Sequence, residues 1–236
     1  MISFIIPAYN EELELSSTLQ AIRAAAANVV QPFEIIVVDD ASTDATAEIA
    51  EQAGARVVSI HRRQIAAARN AGARAARGDY LFFIDADTRI KWTHLSEAMR
   101  FLEAGYAGGS ARGVMDGRIP FWSRVLLRVF CTIYFGLNLG AGAYLFTTRE
   151  NFRATGGFDE QYFAGEEVYF SLALRKLGRF KVLREPVITS GRKLRMYSAK
   201  EILGTLLIMI LGGPRMARSR AKLSLWYDGK RETDAA

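Results

Sequence analysis

The chain has 236 residues, of which 50% are apolar and 24% are charged, and this is enough to bury the core of one large domain or two small ones. The composition excludes a disordered or collagen-like chain, and the single cysteine excludes an intrachain disulfide and a cysteine metal site. The first residues, Met1-Ile2-Ser3-Phe4, lack the basic region and cleavage site of a signal peptide, so we expect an intracellular protein.

The first part of the chain alternates short apolar runs with longer helical patterns, which predicts strand-helix-strand units and a mostly parallel sheet. Four largely apolar runs predict strands that are covered on both faces: 2–6, 34–38, 56–60 and 80–84. Helical spacing and end signals predict three helices between them: 11–28, from Ser42 or Thr43 to Gly54, and 64–77. This half is therefore predicted to be a doubly wound α/β unit.

The second half alternates less regularly. Its predicted elements are a helix at 94–103, a glycine-rich stretch at 105–117, an apolar stretch at 121–148, a helix at 166–177 and a strand at 179–183. We treat this half as an elaboration of the same sheet.

Two apolar segments raise the question of a membrane. The uncharged run 129–148 is long enough to cross a bilayer, but three glycines and Asn138 interrupt it, so we predict core burial, with an in-plane membrane contact as the alternative. The segment 202–211 is too short to cross. Basic residues follow it, so it fits a helix on an anionic bilayer and fits a last core helix with a basic tail equally well.

The net charge of +6 is concentrated near the end of the chain. The basic residues there are Arg192, Lys193, Arg195, Lys200, Arg215, Arg218, Arg220, Lys222, Lys230 and Arg231. This end should prefer an anionic partner such as phosphate groups or an acidic membrane surface, and a solvated basic surface is the plain alternative. Nucleic acid would also satisfy the charge, but we expect no nucleic-acid partner.

Polar segments follow three of the predicted strands, at the edge where an open α/β sheet places its ligand. They are Pro7-Ala8-Tyr9-Asn10-Glu11, Asp39-Asp40-Ala41-Ser42 and Asp85-Ala86-Asp87. Residues two apart in an extended segment point the same way, so Asp85 and Asp87 can converge on one cation, and oxygen ligands favour Mg²⁺ or Mn²⁺. Such an acidic pair, taken alone, is usually a solvated strand end.

The other polar groups suggest a nucleotide beside the cation. Asp39 and Asp40 would repel each other as joint metal ligands, so one of them is expected to accept a hydrogen bond from a nucleobase or ribose. Arg69-Asn70, on the helix before the acidic pair, could reach the same nucleotide, and an exposed helix face is the alternative.

These segments, with Arg69-Asn70-Ala71-Gly72, resemble the successive donor-site motifs of the family 2 glycosyltransferases, which have a GT-A fold. The resemblance continues through Gly156-Gly157-Phe158-Asp159-Glu160, Gly165-Glu166-Glu167 and Leu177-Gly178, and covers roughly residues 2–190. It implies a catalytic domain at 1–190, with a nucleotide-binding half at 1–90 and an acceptor-side half at 91–190. The segment 191–236 would be a basic C-terminal extension.

The resemblance implies an inverting transfer from a UDP- or GDP-sugar with Mn²⁺ or Mg²⁺ as cofactor. The residues that inherit base and ribose contacts are Pro7, Tyr9, Glu11, Asp39 and Asp40, with Arg69 and Ala86 also at the donor. Asp85 would lie near the ribose and the metal, and Asp87 would be the principal metal ligand, in an Asp-x-Asp motif.

The catalytic position departs from the family pattern. The family usually has Glu-Asp, with the Asp as general base, where this chain has Glu166-Glu167, so Glu167 takes that role in the resemblance. The alternative is a carboxylate that interacts favourably with the start of a helix. An anionic phosphate acceptor would need no base at all.

Downstream, Arg192, Lys193 and Arg195 stand where related enzymes have a mobile segment over the diphosphate. They do not match the Gln-x-x-Arg-Trp motif of processive synthases, so the resemblance favours a single-addition enzyme.

Several other functions lack support. A receiver domain is disfavoured because its acidic pair follows the first strand and its length is about half that of this chain. A nucleotidyltransferase and a dinucleotide or ATP fold are disfavoured because no glycine-rich phosphate loop follows a predicted strand. A catalytically silent nucleotide-sugar-binding or membrane scaffold protein remains the alternative to an enzyme. The apolar and basic C-terminal half suggests a lipid or lipid phosphate as acceptor, and a peripheral location on the inner face of a membrane.

Overall fold

The structure is a computed structural model that describes residues 1–117, 120–136, 139–220 and 223. Within these residues eight strands form one sheet, in the order β3-β2-β1-β4-β7-β6-β8-β5, with helices on both faces. The strands are β1 (Ile2–Ala8), β2 (Phe33–Asp40), β3 (Arg56–Ile60), β4 (Tyr80–Ile84), β5 (Thr88–Arg89), β6 (Gly108–Met115), β7 (Tyr144–Thr148) and β8 (Phe180–Thr189). The helices are α1 (Leu15–Ala26), α2 (Thr46–Gln52), α3 (Ile65–Ala75), α4 (Trp92–Glu103), α5 (Phe121–Gly136), α6 (Arg149–Thr155), α7 (Glu166–Leu177), α8 (Arg192–Met196) and α9 (Ala199–Ala217).

The first half of the sheet is parallel, as predicted. Strands β3, β2, β1 and β4 are neighbours, and all of their pairings are parallel. Every residue of β1 is buried because helices cover both faces of the sheet, which explains why its sequence is apolar almost throughout. Strands β1 and β2 extend two residues further than predicted, so Pro7, Asp39 and Asp40 lie inside strands.

The second half contains elements that the sequence did not reveal. The apolar stretch 121–148 includes α5 and β7, and the glycine-rich stretch includes β6. Strand β7 is antiparallel to both β4 and β6, whereas β6 is parallel to β8. Position 109 of β6 accommodates only glycine, because a Cβ there would lie 2.2 Å from the ring of Phe146.

Each face of the sheet has its own apolar core. Helices α1 and α4 cover one face, and α3 and α7 cover the other. Helix α3 approaches the sheet closely because it is made largely of alanine and glycine. A Cβ at Gly72 would lie 2.3 Å from Ile5 Cγ2, so only glycine fits there. This close approach carries the polar side chains of α3 into the protein interior.

Among the described residues, no helix is long and apolar enough to cross a membrane. Helix α9 includes the predicted apolar segment 202–211, but the side chains of 205–212 are outside the description, as are the basic residues Lys222, Lys230 and Arg231.

Candidate active site

The carboxyl ends of β1 and β2 form one polar edge, because their loops are cross-linked. The Asn10 amide donates to Ser42 Oγ at 2.9 Å, and the Thr43 amide donates to Asn10 Oδ1 at 2.8 Å. Asn10 and Ala41 have left-handed backbones, with φ of 51° and 63°. Non-glycine residues adopt this conformation at a cost of order 1 kcal/mol or more, and such residues cluster at functional sites.

The two aspartates at the end of β2 have different surroundings. Asp40 accepts hydrogen bonds from the backbone amides of Arg62, Arg63 and Gln64, each at 2.7 Å. Both of its oxygens are thereby used to hold the loop before α3. Asp39 accepts one hydrogen bond through Oδ1, from the Ser42 amide at 3.2 Å. Of the pair, Asp39 has the greater capacity to accept a further hydrogen bond.

Tyr9 follows β1 and presents its ring at the same edge. The guanidinium carbon of Arg63 lies 3.2 Å from the ring centroid. Arg63 also has a left-handed backbone, with φ of 50°. The ring of Tyr9 therefore already stacks against a planar group, which is the kind of contact that a nucleobase would make.

The acidic pair follows β4. Asp85 Oδ1 accepts from Arg69 Nη2 at 2.8 Å, and Asp87 Oδ1 accepts from Thr189 Oγ1 at 3.0 Å. Between them Ala86 is buried, and its carbonyl accepts from Thr18 Oγ1 at 2.8 Å. The backbone of the motif is thus fixed from α1, while its two carboxylates are held by residues of α3 and β8.

Arg192, the first residue of α8, lies inside this site. Its Nη1 and Nη2 donate to the two oxygens of Glu11, at 2.6 and 2.5 Å, and Nη2 lies 3.4 Å from Asp87 Oδ2. Burial acts to lower the pKa of Arg192, but Glu11 and Asp87 outweigh it and raise the pKa, so the side chain stays charged. The guanidinium therefore forms an ion pair with Glu11 and lies close to Asp87, two of the predicted donor-site carboxylates.

The other two basic residues of α8 lie further out. Arg195 Nη1 donates to the backbone carbonyl of Asp116 at 3.1 Å. Lys193 lies on the same short helix and is partly exposed.

Arg69 is the buried centre of the site. Its side chain is 1% exposed, which rules out the exposed helix face that the sequence left open. Besides Asp85, it contacts Glu166 Oε1 through Nη1 at 2.7 Å and the carbonyl of Gly142 through Nη2 at 3.1 Å. One guanidinium thus joins the acidic pair to the start of α7.

Glu166 and Glu167 begin α7. They directly follow Gly165, which has a left-handed backbone with φ of 75°. Burial raises the pKa of Glu167 to about 8, and the neighbouring Glu166 adds to the rise while Arg69 opposes it. Burial also raises the pKa of Glu166, against the effect of Arg69. A carboxylate whose pKa lies near neutrality is suited to accept and return a proton.

Comparison with known proteins agrees with this arrangement. A family model described as glycosyl transferase family 2 matches residues 3–158, more than half of the chain. The chain belongs to glycosyl transferase family 2.

Curated relatives of this family 2 glycosyltransferase match over part of their length. The undecaprenyl-phosphate 4-deoxy-4-formamido-L-arabinose transferase of Serratia proteamaculans (strain 568) is 32% identical over 112 residues, which are 44% of this chain and 34% of that protein. The putative glycosyltransferase EpsH of Bacillus subtilis (strain 168) is 31% identical over 104 residues, 42% of this chain and 29% of that protein. The chain thus matches about a third of the length of each relative.

Solved structures confirm the predicted GT-A fold. The mannosyltransferase PcManGT from Pyrobaculum calidifontis, in complex with GDP-Man and Mn²⁺, has a TM-score of 0.67 at 20% identity, over 97% of this chain and 68% of that chain. S. aureus TarS 1–349 in complex with UDP has a TM-score of 0.64 at 18% identity, over 97% of this chain and 70% of that chain.

The acidic pair of this family 2 member has the right chemistry for a divalent cation. The described residues contain no group of three or more His, Cys, Asp or Glu side chains that could hold a metal. Two carboxylates, completed by phosphate and water, are nevertheless typical of Mg²⁺ and Mn²⁺ sites. Burial raises the pKa of Asp87 to about 7 despite the opposing effect of Arg192, and Asp85 and Glu11 add to the rise. Carboxylate oxygens are donor atoms that suit either ion.

Several residues that shape the site were missed by the sequence reasoning. Thr189, Gly142 and Thr18 contact site residues, but each contact joins positions far apart in the chain. Arg69, Asp85 and Glu166 were each predicted to be at the site, but the contacts of Arg69 with the two carboxylates were not predicted. No local pattern could have revealed these contacts, since they depend on how β4, β7 and β8 pair.

Proposed function

We propose that this chain transfers a sugar from a UDP- or GDP-sugar to an acceptor, with inversion at the anomeric carbon. One observation carries the proposal: the buried Arg69 contacts both Asp85 and Glu166, which brings the acidic pair close to the start of α7. We call the part of the site formed by Gly165, Glu166 and Glu167 the catalytic-loop side. A donor-binding edge and a candidate base thus lie side by side at the carboxyl ends of the strands, where α/β sheets bind ligands.

The donor side would hold the nucleotide through three elements. Asp39 would accept a hydrogen bond from the base, because Asp40 is already engaged by three amides. Tyr9 would stack on the base or ribose, with Pro7 shaping the floor of the site. Asp87, with Asp85, would hold Mn²⁺ or Mg²⁺, and that ion offsets negative charge on the departing diphosphate.

The acceptor side would supply the base. As an acceptor oxygen attacks the anomeric carbon, the bond from that carbon to the diphosphate oxygen breaks and its electron pair leaves with the diphosphate. Glu167 would take the proton from a hydroxyl acceptor. With a phosphate acceptor no proton moves, and Glu167 would only shape the electrostatics of the site.

Donor binding would require Arg192 to change partners. In the structure its guanidinium contacts Glu11 and Asp87. A diphosphate with its cation would take over Asp87, and the released Arg192 would then be placed to contact the phosphates, with Lys193 and Arg195 beside it on α8. We propose accordingly that α8 moves over the donor when the donor binds.

A lipid or lipid phosphate is the proposed acceptor, with peripheral contact at a membrane surface. Support comes from the curated relatives named as undecaprenyl-phosphate transferases. Phe121 at the start of α5 is 74% exposed, and the basic Arg124 and Arg128 are exposed on the same helix. Sedimentation with anionic liposomes tests the membrane contact. A chain truncated before Ile202 lacks most of α9 and should bind less, and unchanged binding would rule out α9 as the anchor.

A catalytically silent nucleotide-sugar-binding protein remains the second candidate, because Glu167 stands where the family usually has Asp. Titration of UDP and GDP, each with and without Mn²⁺, tests the donor site that both candidates share. We expect one nucleotide to bind and Mn²⁺ to strengthen its binding. Binding of neither would contradict both, and sugar transfer would exclude the silent protein. Asp79→Asn serves as the control, because the Asp79 side chain is 79% exposed, away from the site.

A further inference from the structure

Arg69 fixes the distance between two carboxylates on different sides of the site. It lies on α3, where small neighbours let the helix press against the sheet. Its two terminal nitrogens divide between Asp85, on the donor side, and Glu166, on the catalytic-loop side. A forked guanidinium with one arm on each carboxylate sets their separation, which a single point charge cannot do.

The contact between Arg69 and Glu166 lies in the protein interior. Arg69 is 1% exposed and Glu166 is 3% exposed, so both groups of this ion pair are shielded from water. Removal of one partner of a buried ion pair leaves an uncompensated charge in the interior. Asp85 and Glu166 are therefore held to the same group and should not move independently.

Gly142 provides the space for the fork. Its carbonyl accepts from Arg69 Nη2, and a Cβ at Gly142 would lie 2.9 Å from that nitrogen. A Gly142→Ala change would therefore displace the arm that contacts Asp85 without removing any charged residue from the chain.

The following inference rests on the proposed function. We propose that Arg69 is a positioning residue that holds the metal-site Asp85 and the catalytic-loop Glu166 at a fixed separation, and that it is not a ligand of the nucleotide. Glu167 follows Glu166 directly on α7. The two contacts of Arg69 would therefore fix the position of the proposed general base Glu167 relative to the donor. They would also keep the carboxylate of Asp85 oriented toward its cation.

The first test needs no ligand. Thermal unfolding is compared for Asp85→Asn and Glu166→Gln in the wild-type chain and in Arg69→Lys. An ammonium cannot hold both carboxylates, so at least one of the two substitutions should lower the Tm by several degrees less in the Arg69→Lys background. Equal changes of Tm in both backgrounds would contradict the proposal that Arg69 holds Asp85 and Glu166 together.

The second test measures binding of UDP and GDP with and without Mn²⁺ in Arg69→Lys and Gly142→Ala. We expect metal-free affinity to stay within about twofold and the gain from Mn²⁺ to fall about tenfold, as is usual when a group that orients a metal ligand is disturbed. Gly136→Ala is the matched control, because a Cβ at Gly136 would meet no described atom within 4 Å.

Two results would overturn the proposal. An equal loss of metal-free and Mn²⁺-supported binding in Arg69→Lys would make Arg69 a nucleotide ligand, and an unchanged gain from Mn²⁺ in both variants would remove it from the site. If the wild-type chain bound neither nucleotide, the proposed function would fall, and the Tm comparison would still decide separately whether Arg69 joins the two carboxylates.

Discussion

The donor side and the catalytic-loop side of the site are held in place by different means. On the donor side, parallel strands bring Asp39 and the acidic pair to one edge. Ser42 and Thr43 hydrogen-bond to Asn10 across the two loops, and Thr18 and the Ala143 carbonyl hold the backbone of the acidic pair. On the other side, Glu166 is held by one buried guanidinium from a distant part of the chain. We infer that the donor side tolerates the loss of single contacts, whereas the catalytic-loop side depends on few.

The largest effect is expected at the acidic pair, where the two sides meet. Asp87→Asn keeps the shape of the side chain but removes the charge that would hold the cation against the diphosphate. We expect sugar transfer to fall by about 1,000-fold, because metal stabilisation of a leaving group is typically worth several kcal/mol. Steady-state transfer rates measure this, with Asp79→Asn as the control that should keep full activity.

The next largest effect concerns the catalytic-loop side alone. Glu167→Gln should lower kcat by about 100-fold, which is the usual size of a general-base contribution, while the affinity for the nucleotide stays unchanged. Glu103→Gln, on the exposed end of α4, is the control. If turnover is retained, Glu167 is not the base, and a phosphate acceptor becomes the better explanation.

The dependence of the rate on pH separates the two sides further. The base must be deprotonated to act, and the pKa of Glu167 is about 8. The wild-type rate should therefore rise about tenfold per pH unit below pH 8 and level off above it. The Glu167→Gln variant should lack this rise in kcat. A wild-type rate that does not change between pH 6 and 8 would contradict the assignment.

The smallest effect is expected on the donor side, at Arg192. Arg192→Ala removes a proposed phosphate contact, but it also frees Glu11 and Asp87 from their present partner. These consequences oppose each other, so we expect the KM for the donor to rise only about fivefold, less than the 10-fold or more of a typical charge-assisted hydrogen bond. Arg184→Ala, an exposed position on β8, is the control. A KM that falls would mean that Arg192 only obstructs the site.

The same contrast explains what the sequence could predict. Strands β3 and β4 were predicted with their observed bounds, and α7 likewise, because apolar runs and capping residues are local signals. The donor edge followed from them, since parallel strands share the edge at which they end. The resemblance to family 2 then assigned roles to residues at that edge.

Other parts depend on distant neighbours and could not be predicted. Strand β6 begins with two glycines, which usually indicate a loop, but Gly109 faces the ring of Phe146 and a backbone carbonyl at distances that exclude a side chain. Strand β7 lies at the end of the apolar stretch 121–148, which has no change of period that would separate the strand from α5. The fork of Arg69 and the pairing of Arg192 with Glu11 both join residues that only the folded sheet brings together.

The most direct measurement is the release of UDP or GDP from the corresponding nucleotide-sugars, with and without Mn²⁺, by the wild-type chain and by Asp87→Asn. We expect one nucleotide to be released in the presence of Mn²⁺, release to increase when a lipid-phosphate acceptor is added, and Asp87→Asn to abolish both effects. Release that is equal with and without the metal, or equal in the two proteins, would contradict a donor site built around Asp85 and Asp87.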